Sequence, residues 1–487
     1  MTDTSALNAP SHPAPDIPRE RLTPMFAQYL AVKKNHQDAL LFYRMGDFYE
    51  LFFDDAVVAA KALQITLTSR NPQAEYQIPM CGVPHHSHLG YVRRLTDLGF
   101  RVAICEQIED PRTAKGLVKR EVKRVATAGT MVEDEGLSAK EHNYLGALYW
   151  NRESSRGGFT WLDYSTGNWS GLYCKKEDEL WQWARKMRPR ELILPDLTDD
   201  ELGLPRSFFD GAMTPVRLPL RGSFDRKGAE ARILEAQGIK ELGAVGLNGK
   251  DELVRACGAL LGYLTRTQKQ ALEHLKSFEL LSLSRHLIID EVTERNLEIF
   301  RKLDGKKGPG TLWQILDDTI SPMGGRLLEE RLRHPWRDRK QIDENADIVQ
   351  FFYDHGHKRA ALRRALEDVR DLERLFTRLS INRGTPKDML ALGQSLAALG
   401  SVRNALEAPP PGRYAGPDDS ENFPLKLLSM YRSWDDMTDV AVLLGNAISE
   451  TPPPVITEGG LFKSGFNSEL DELIDLVEHG EQRLRAL

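Results

Sequence analysis

The sequence predicts a multidomain chain in which two mixed α/β units precede a mostly α-helical one. Three observations carry this expectation. A length of 487 residues exceeds what one hydrophobic core serves and points to three or four domains. Up to about residue 276, apolar runs of strand length alternate with stretches of helical period. From about residue 277 the helical period continues with few strand signals. Hydrophobic residues at 41% and charged residues at 28% describe an ordinary globular composition. Four scattered cysteines without a C-x-x-C pair signal neither a disulfide framework nor a zinc site.

Residues 1–18 hold two acids, no bases and four prolines, which excludes a secretory signal and predicts a disordered leader. The first domain is expected over 19–130. A helix is predicted near Met25 to Lys33, and Ala39-Leu40-Leu41-Phe42-Tyr43 reads as a short buried strand stopped by Gly46-Asp47. Leu51, Phe52, Asp55, Ala56, Ala59, Ala60 and Leu63 then fall at helical spacing, with Asp47 and Glu50 as a capping pair. This places Phe48 at a strand-to-helix corner. Two readings of that corner stand side by side. In one, Glu50 caps the helix and Phe48 staples it. In the other, Phe48 is an apolar wedge between base steps and Glu50 hydrogen-bonds the unstacked base.

A further helix is predicted from about His88, carrying Arg93 and Arg94, and His85, His86 and His88 around Pro84 read as a turn rather than a metal site. The segment Arg112 to Arg124 holds six bases and one acid, interleaved with apolar residues. It reads either as a solvated strand face or as a set of phosphate contacts. Charge by region sharpens the choice. Residues 19–130 contain 16 Lys or Arg against 12 Asp or Glu, a balance of +4, whereas 131–487 contain 49 against 57, a balance of −8. The first domain is basic on an acidic chain.

Residues 131–142 are polar enough for a linker. Beyond it, Tyr144–Trp150, Gly158–Tyr164 and Asn168–Cys174 read as strands, the last two joined by Ser165-Thr166-Gly167. A helix over Glu177–Met187, a buried strand over Glu191–Pro195 and further helices to 276 complete a second domain at 143–276. Helices at 277–464 follow, broken by five prolines within 407–424, and a last segment is expected at 465–487.

The sequence resembles the MutS family of DNA mismatch repair proteins over about residues 22–475. Thr23-Pro24-Met25, Gln28-Tyr29-Leu30, Leu40 through Phe52, Ile78 through His86 and Ala103 through Ile108 stand as family blocks in family order. Asp290 through Ile299, Thr311 through Asp317, Ser321-Pro322-Met323-Gly324 and Asp371 through Leu375 continue the likeness, as does Gly465 through Leu473. Cys81, Glu109 and Ala128 depart from it. The resemblance implies a mixed α/β mismatch-recognition domain, an α/β connector of ribonuclease H-like shape, a helical core and lever, and the start of a clamp. It implies that Phe48 stacks on a mispaired base from the minor groove and that Glu50 hydrogen-bonds it. Arg44, Met45, Asp47, Lys119, Arg120, Lys123 and Arg124 are the expected DNA-backbone contacts. Implied partners are double-stranded DNA with mismatches or small unpaired loops, a second copy of the chain, and a MutL-like repair protein reached partly through the connector.

In the family the chain continues through the clamp and back along the lever into an ATPase, and those segments are expected outside this sequence, leaving the lever helices short of partners. The nearest approach to G-x-x-x-x-G-K-[ST] is Gly249-Lys250 followed by Asp251, with Ala244 where the first Gly belongs, which reads as a decoy. ATP and magnesium are therefore expected only with the ATPase, and no enzymatic activity or cofactor is expected of this sequence itself. Two alternatives remain at this level: a MutS-like interaction module without mismatch preference, and a metal-dependent nuclease with Asp163 as its first ligand. No stretch approaches 18 apolar residues, and the expected location is the cytoplasm.

Overall fold

A computed structural model describes residues 23–70, 77–109, 116–205, 208–209, 213–406 and 423–486. The expected leader, Arg112 and Lys115 of the basic run, and all but the last two residues of the Pro-rich stretch lie outside the described residues. The chain forms two compact units, Met1–Ser282 with Asp290–Val292, and Leu283–Ile289 with Thr293–Leu487.

The first unit begins with α1 (Pro24–Lys34), started by the Thr23 hydroxyl accepting from the Phe26 N–H and by Pro at its first position. Next come β1 (Leu40–Met45), β2 (Phe48–Phe52), α2 (Phe53–Leu63), β3 (Thr68–Ser69), β4 (Pro79–Pro84), α3 (His88–Asp97), β5 (Val102–Gln107) and β6 (Arg120–Ala126). The strands form one sheet in the order β3-β4-β2-β1-β5-β6. Both of its faces are covered. Leu40 and Phe42 pack with Ala56, Ala59, Val92 and Leu95 of α2 and α3. Leu41 and Tyr43 pack on the other face with Phe26 and Tyr29 of α1. Two-sided burial explains the unbroken apolar run of β1. Lys33 and Asp55 form a buried ion pair at 2.8 Å, with Asp55 also accepting from the Leu41 N–H, so one carboxylate ties α1, β1 and α2 together.

The expected strand-to-helix corner is instead a β-hairpin. Met45 pairs with Phe48 across the two-residue loop Gly46-Asp47, and Gly46 takes φ +56°, which favours glycine. Phe48 to Phe52 continue as strand because β2 has partners on both sides, β1 and β4. The helix starts only at Phe53, with Asp54 and Asp55 in its first turn, so Asp47 and Glu50 are not a capping pair. The expected linker begins with two buried residues. Met131 and Val132 are buried, Met131 within the core under α2 and α3, so the acidic composition concealed two anchors.

A second sheet in the same unit contains β7 (Tyr144–Asn151), β8 (Arg156–Asp163) and β9 (Asn168–Cys174), then α4 (Glu177–Met187) and β10 (Glu191–Pro195). After the short turn α5 (Asp199–Leu202) come β11 (Thr214–Leu218), α6 (Leu220–Ser223), α7 (Arg226–Gln237), α8 (Asp251–Gln268) and β12 (Glu279–Leu280). Its order is β11-β10-β7-β8-β9-β12. The expected turn Ser165-Thr166-Gly167 joins β8 to β9, with Gly167 at φ +74°. β11 was not foreseen because Pro215 interrupts the pattern, and it is tolerated at the sheet edge. The two sheets meet at Glu191. Its buried Oε2 accepts from Thr127 Oγ1 at 2.7 Å and from the Gly129 N–H at 3.2 Å.

In the second unit the described regular elements are helices. After α9 (Glu291–Asn296), these are α10 (Leu312–Leu316), α11 (Pro322–Arg333), α12 (Arg339–Asp354), α13 (Gly356–Glu367), α14 (Leu372–Ser380), α15 (Pro386–Leu406), α16 (Leu425–Arg432), α17 (Thr438–Ala447) and α18 (Ser468–Ala486). Its cores are small, one around Phe351, Leu406 and Leu427, another around Leu392, Leu396 and Ala441. Arg326, fully buried, is held by Asp371 at 2.6 and 2.7 Å and by Glu373 at 2.8 Å.

Candidate nucleic-acid interface

β2 has a period of two, so Phe48, Glu50 and Phe52 share one face of the first sheet while Tyr49 and Leu51 point to the other. Along that face burial falls toward the hairpin. Phe52 is fully buried against Phe26 and Tyr29, Glu50 is half-buried, and Phe48 is 48% exposed. Gly82 lies opposite Glu50 on β4, and a Cβ there would come 3.7 Å from Glu50 Cγ and 3.9 Å from Phe48 Cδ1. The two side chains thus lie over a strip of bare backbone. Burial, the largest influence on Glu50, lifts its carboxyl above the usual carboxylate range, against the pull of Arg70 and Arg120. Arg70 Nη1 donates to Glu50 Oε2 at 2.5 Å, and its guanidinium stands 5.7 Å from the Phe52 ring centroid.

The cationic residues around the hairpin separate into two kinds. Arg44 donates from Nε to the Gly46 carbonyl at 2.5 Å and lies over the Tyr49 ring, bracing the turn. Arg120 donates to the Arg44 carbonyl at 2.7 Å and to Gln28 Oε1 at 3.2 Å, over the Tyr43 ring. Arg124 is buried, with Nη2 2.6 Å from Glu133 Oε1. The expectation that Arg124 reaches a phosphate is therefore corrected: past the register shift of β6 its side chain turns inward to its carboxylate partner. Lys123 is exposed, and Lys119 is 71% exposed. Lys119 pairs with Glu109 at 3.2 Å, so the carboxylate that departs from the family pattern answers one base of the run. Met45 and Asp47 sit at the hairpin, Asp47 exposed with its carbonyl accepting from the His85 N–H at 2.8 Å.

The histidines behind the hairpin form a wall. His85 and His88 stack at 5.5 Å and both lie against the Tyr49 ring. His88 Nδ1 is 2.6 Å from the His85 carbonyl, and burial pushes its pKa down to about 4, so it is neutral and committed as a donor. Asp163 is fully buried, and its two oxygens accept from His142, the Asn143 N–H, and the N–H and hydroxyl of Ser165. That carboxylate shapes the β8–β9 turn. Among the described residues no group of three or more His, Cys, Asp or Glu could hold a metal ion. Lys250 folds its amine onto the Gly246 carbonyl at 2.6 Å.

Sequence reasoning missed Arg70 and Gly82. No motif marks Arg70. It follows a two-residue strand and reaches Glu50 only because β3, β4 and β2 are neighbours in the sheet. Gly82 stands inside a family block, but its closeness to Glu50 is visible only once the β2–β4 register is known.

Three family models match the chain: MutS domain I over residues 23–135, MutS domain II over 143–276 and MutS domain III over 292–487. The chain is 58% identical over 476 residues to the DNA mismatch repair protein MutS of Nitratidesulfovibrio vulgaris strain Hildenborough, covering 96% of this chain and 52% of that protein. It is 57% identical to the protein of the same name from Oleidesulfovibrio alaskensis, and 35% identical to that from Alkaliphilus oremlandii, with the same coverages. The chain thus spans about half the length of the curated relatives it matches. No helix among the described residues is long and apolar enough to cross a membrane.

Proposed function

The chain belongs to the MutS family, and from that premise we propose that residues 23–135 recognise mismatched or unpaired bases in double-stranded DNA. Phe48 enters from the minor groove and stacks on the displaced base, and Glu50 hydrogen-bonds that base. The observation that carries this reading is the half-exposed Phe48 at a hairpin tip with a half-buried carboxylate two residues behind it on the same face. Single exposed apolar side chains are common, so what singles out Phe48 is its place at a hairpin tip with a carboxylate on the same face. A carboxylate beside it would be repelled by phosphate unless it had a base edge to bond. Lys119 just before β6 and Lys123 along it, both exposed, supply sequence-independent attraction to the duplex.

For the whole protein we propose the family's role of initiating mismatch repair, with pairing to a second copy and to a MutL-like protein as partner events. ATP binding and hydrolysis we assign outside the three matched domains. Binding of the 487-residue chain to matched duplex and to the same duplex with one mispair or one unpaired base, followed by fluorescence anisotropy at low salt, tests recognition directly. Phe48→Ala is expected to bring mismatch binding down close to matched binding, a loss of about tenfold, since base–aromatic stacking supplies about 1–3 kcal/mol. Full mismatch preference in Phe48→Ala would remove the wedge.

A further inference from the structure

Arg70 stands against the Glu50 carboxylate on the hairpin face, and its position is fixed independently of that carboxylate. Its N–H donates to the Ile78 carbonyl at 3.1 Å, continuing the β3–β4 pairing, and its guanidinium lies over Phe52. Glu50 faces Tyr43 across β1 and Gly82 across β4, neither of them charged at neutral pH. Tyr43 is held further from ionisation, its pKa raised to about 12 by burial. Arg120 also acts on Glu50 through space, but its guanidinium is committed to the Arg44 carbonyl and Gln28. Among the described residues, Arg70 is therefore the cation that meets the Glu50 oxygens.

We propose that Arg70 is a positioning residue for Glu50, a latch that holds the carboxylate back along the sheet until a base stacked on Phe48 offers a competing hydrogen bond. This rests on the wedge reading of Phe48 and Glu50. The latch works by difference. A displaced base offers Glu50 a new partner, while a paired base holds its own edge in the base pair and offers nothing in exchange for the broken ion pair. An unlatched Glu50 discriminates less. Without the cation, burial and the phosphate field both favour the protonated carboxyl, which can donate to the minor-groove acceptors that every base pair presents.

The test is Arg70→Gln in the 487-residue chain, read as the mismatch-to-match binding ratio between pH 5.5 and 8.5. The ratio is expected to fall by about two- to fivefold, the range a partly exposed ion pair supplies, through tighter binding of matched duplex. The pH dependence of the ratio is expected to move upward, because Glu50 then protonates at higher pH. Arg70→Lys keeps the charge without the planar fork and should give an intermediate ratio. In a Glu50→Gln background Arg70→Gln should change the ratio no further, as it must if Arg70 acts through Glu50. Equal weakening of both duplexes, with a salt slope lowered by about one unit, would make Arg70 a phosphate ligand and overturn the latch. If Arg70→Gln fails to fold, as read by its circular-dichroism melt, Arg70→Lys decides alone, and a parent-like ratio there overturns the proposal. Loss of preference in Phe48→Ala with none in Arg70→Gln removes the latch only. No effect of Phe48→Ala removes the reading beneath it.

Discussion

Burial raises the pKa of Glu50, and Arg70 and Arg120 oppose that shift. The sign of the pH effect follows. Its charged form is disfavoured in the folded chain, so its stabilising contribution is fully present below the unfolded carboxylate pKa and is lost as pH rises through the raised folded one. For recognition, the protonated carboxyl donates to a base acceptor and the ionised form only accepts. Glu50→Gln, which donates at every pH to matched and displaced bases alike, is therefore expected to discriminate less than the parent chain but more than Glu50→Ala, and to show a flatter dependence on pH from 5.5 to 8.5. Equal losses in the two variants, measured by the same binding ratio, would count against a hydrogen-bonding role. The pair Phe48 and Glu50 is legible in the sequence as a unit, and the strand period puts both side chains on one face. The hairpin that carries them is not legible, because Leu51 to Leu63 matches a helical period and nothing local shows that β4 arrives to hold Phe48–Phe52 as a strand.

At the scale of the element, β6 shows why a run of charges is a poor map of an interface. Its strand period, with a register shift opposite Ile104 and Cys105, directs Arg120 and Arg124 into internal bonds and leaves Lys123 exposed, with Lys119 just before the strand. Neutralising Lys119 and Lys123 together is expected to weaken matched and mismatched duplex alike and to leave their ratio intact. The salt slope should fall by about 0.9 for each phosphate that is no longer neutralised. A changed ratio with an unchanged slope would show that the two lysines do something other than hold phosphate. The same limit on sequence reading applies to β8 and α8. β8 is expected from the sequence and α8 falls among the further helices expected up to 276, but not their closeness: a Cβ on Gly158 would stand 2.2 Å from Leu253 Cα. Backbone meets backbone there. Gly158→Ala is expected to push α8 off the sheet and destabilise the first unit by about 1–3 kcal/mol, read as a lower urea midpoint. A parent-like midpoint would mean that the helix shifts freely.

Across the whole molecule, the contrast between the units is one of burial. The first unit covers both faces of its N-terminal sheet and joins the second sheet through Glu191, whose Oε2 accepts from Thr127 and Gly129 and whose carboxyl burial lifts above the usual range. The second unit has small cores and leaves Val349, Tyr353, Leu425 and Val477 largely exposed, Val477 at 87%. Helical period after residue 277 is legible, but which apolar stripe finds a partner is decided by tertiary packing, which the period does not encode. Local stability follows buried apolar area, so segments with little of it open first. Limited proteolysis of the 487-residue chain is therefore expected to cut within residues 293–487 before it cuts the first unit, and to leave a resistant fragment ending near residue 282. Because the described residues 23–282 are tied by Glu191, Gln268 and Lys269 across both sheets, with Gln268 and Lys269 bonded to the Val125 and Val122 carbonyls, that fragment should survive as one piece. Early cleavage between the sheets, at residues 131–142, would show that these ties do not hold and that the two sheets open separately.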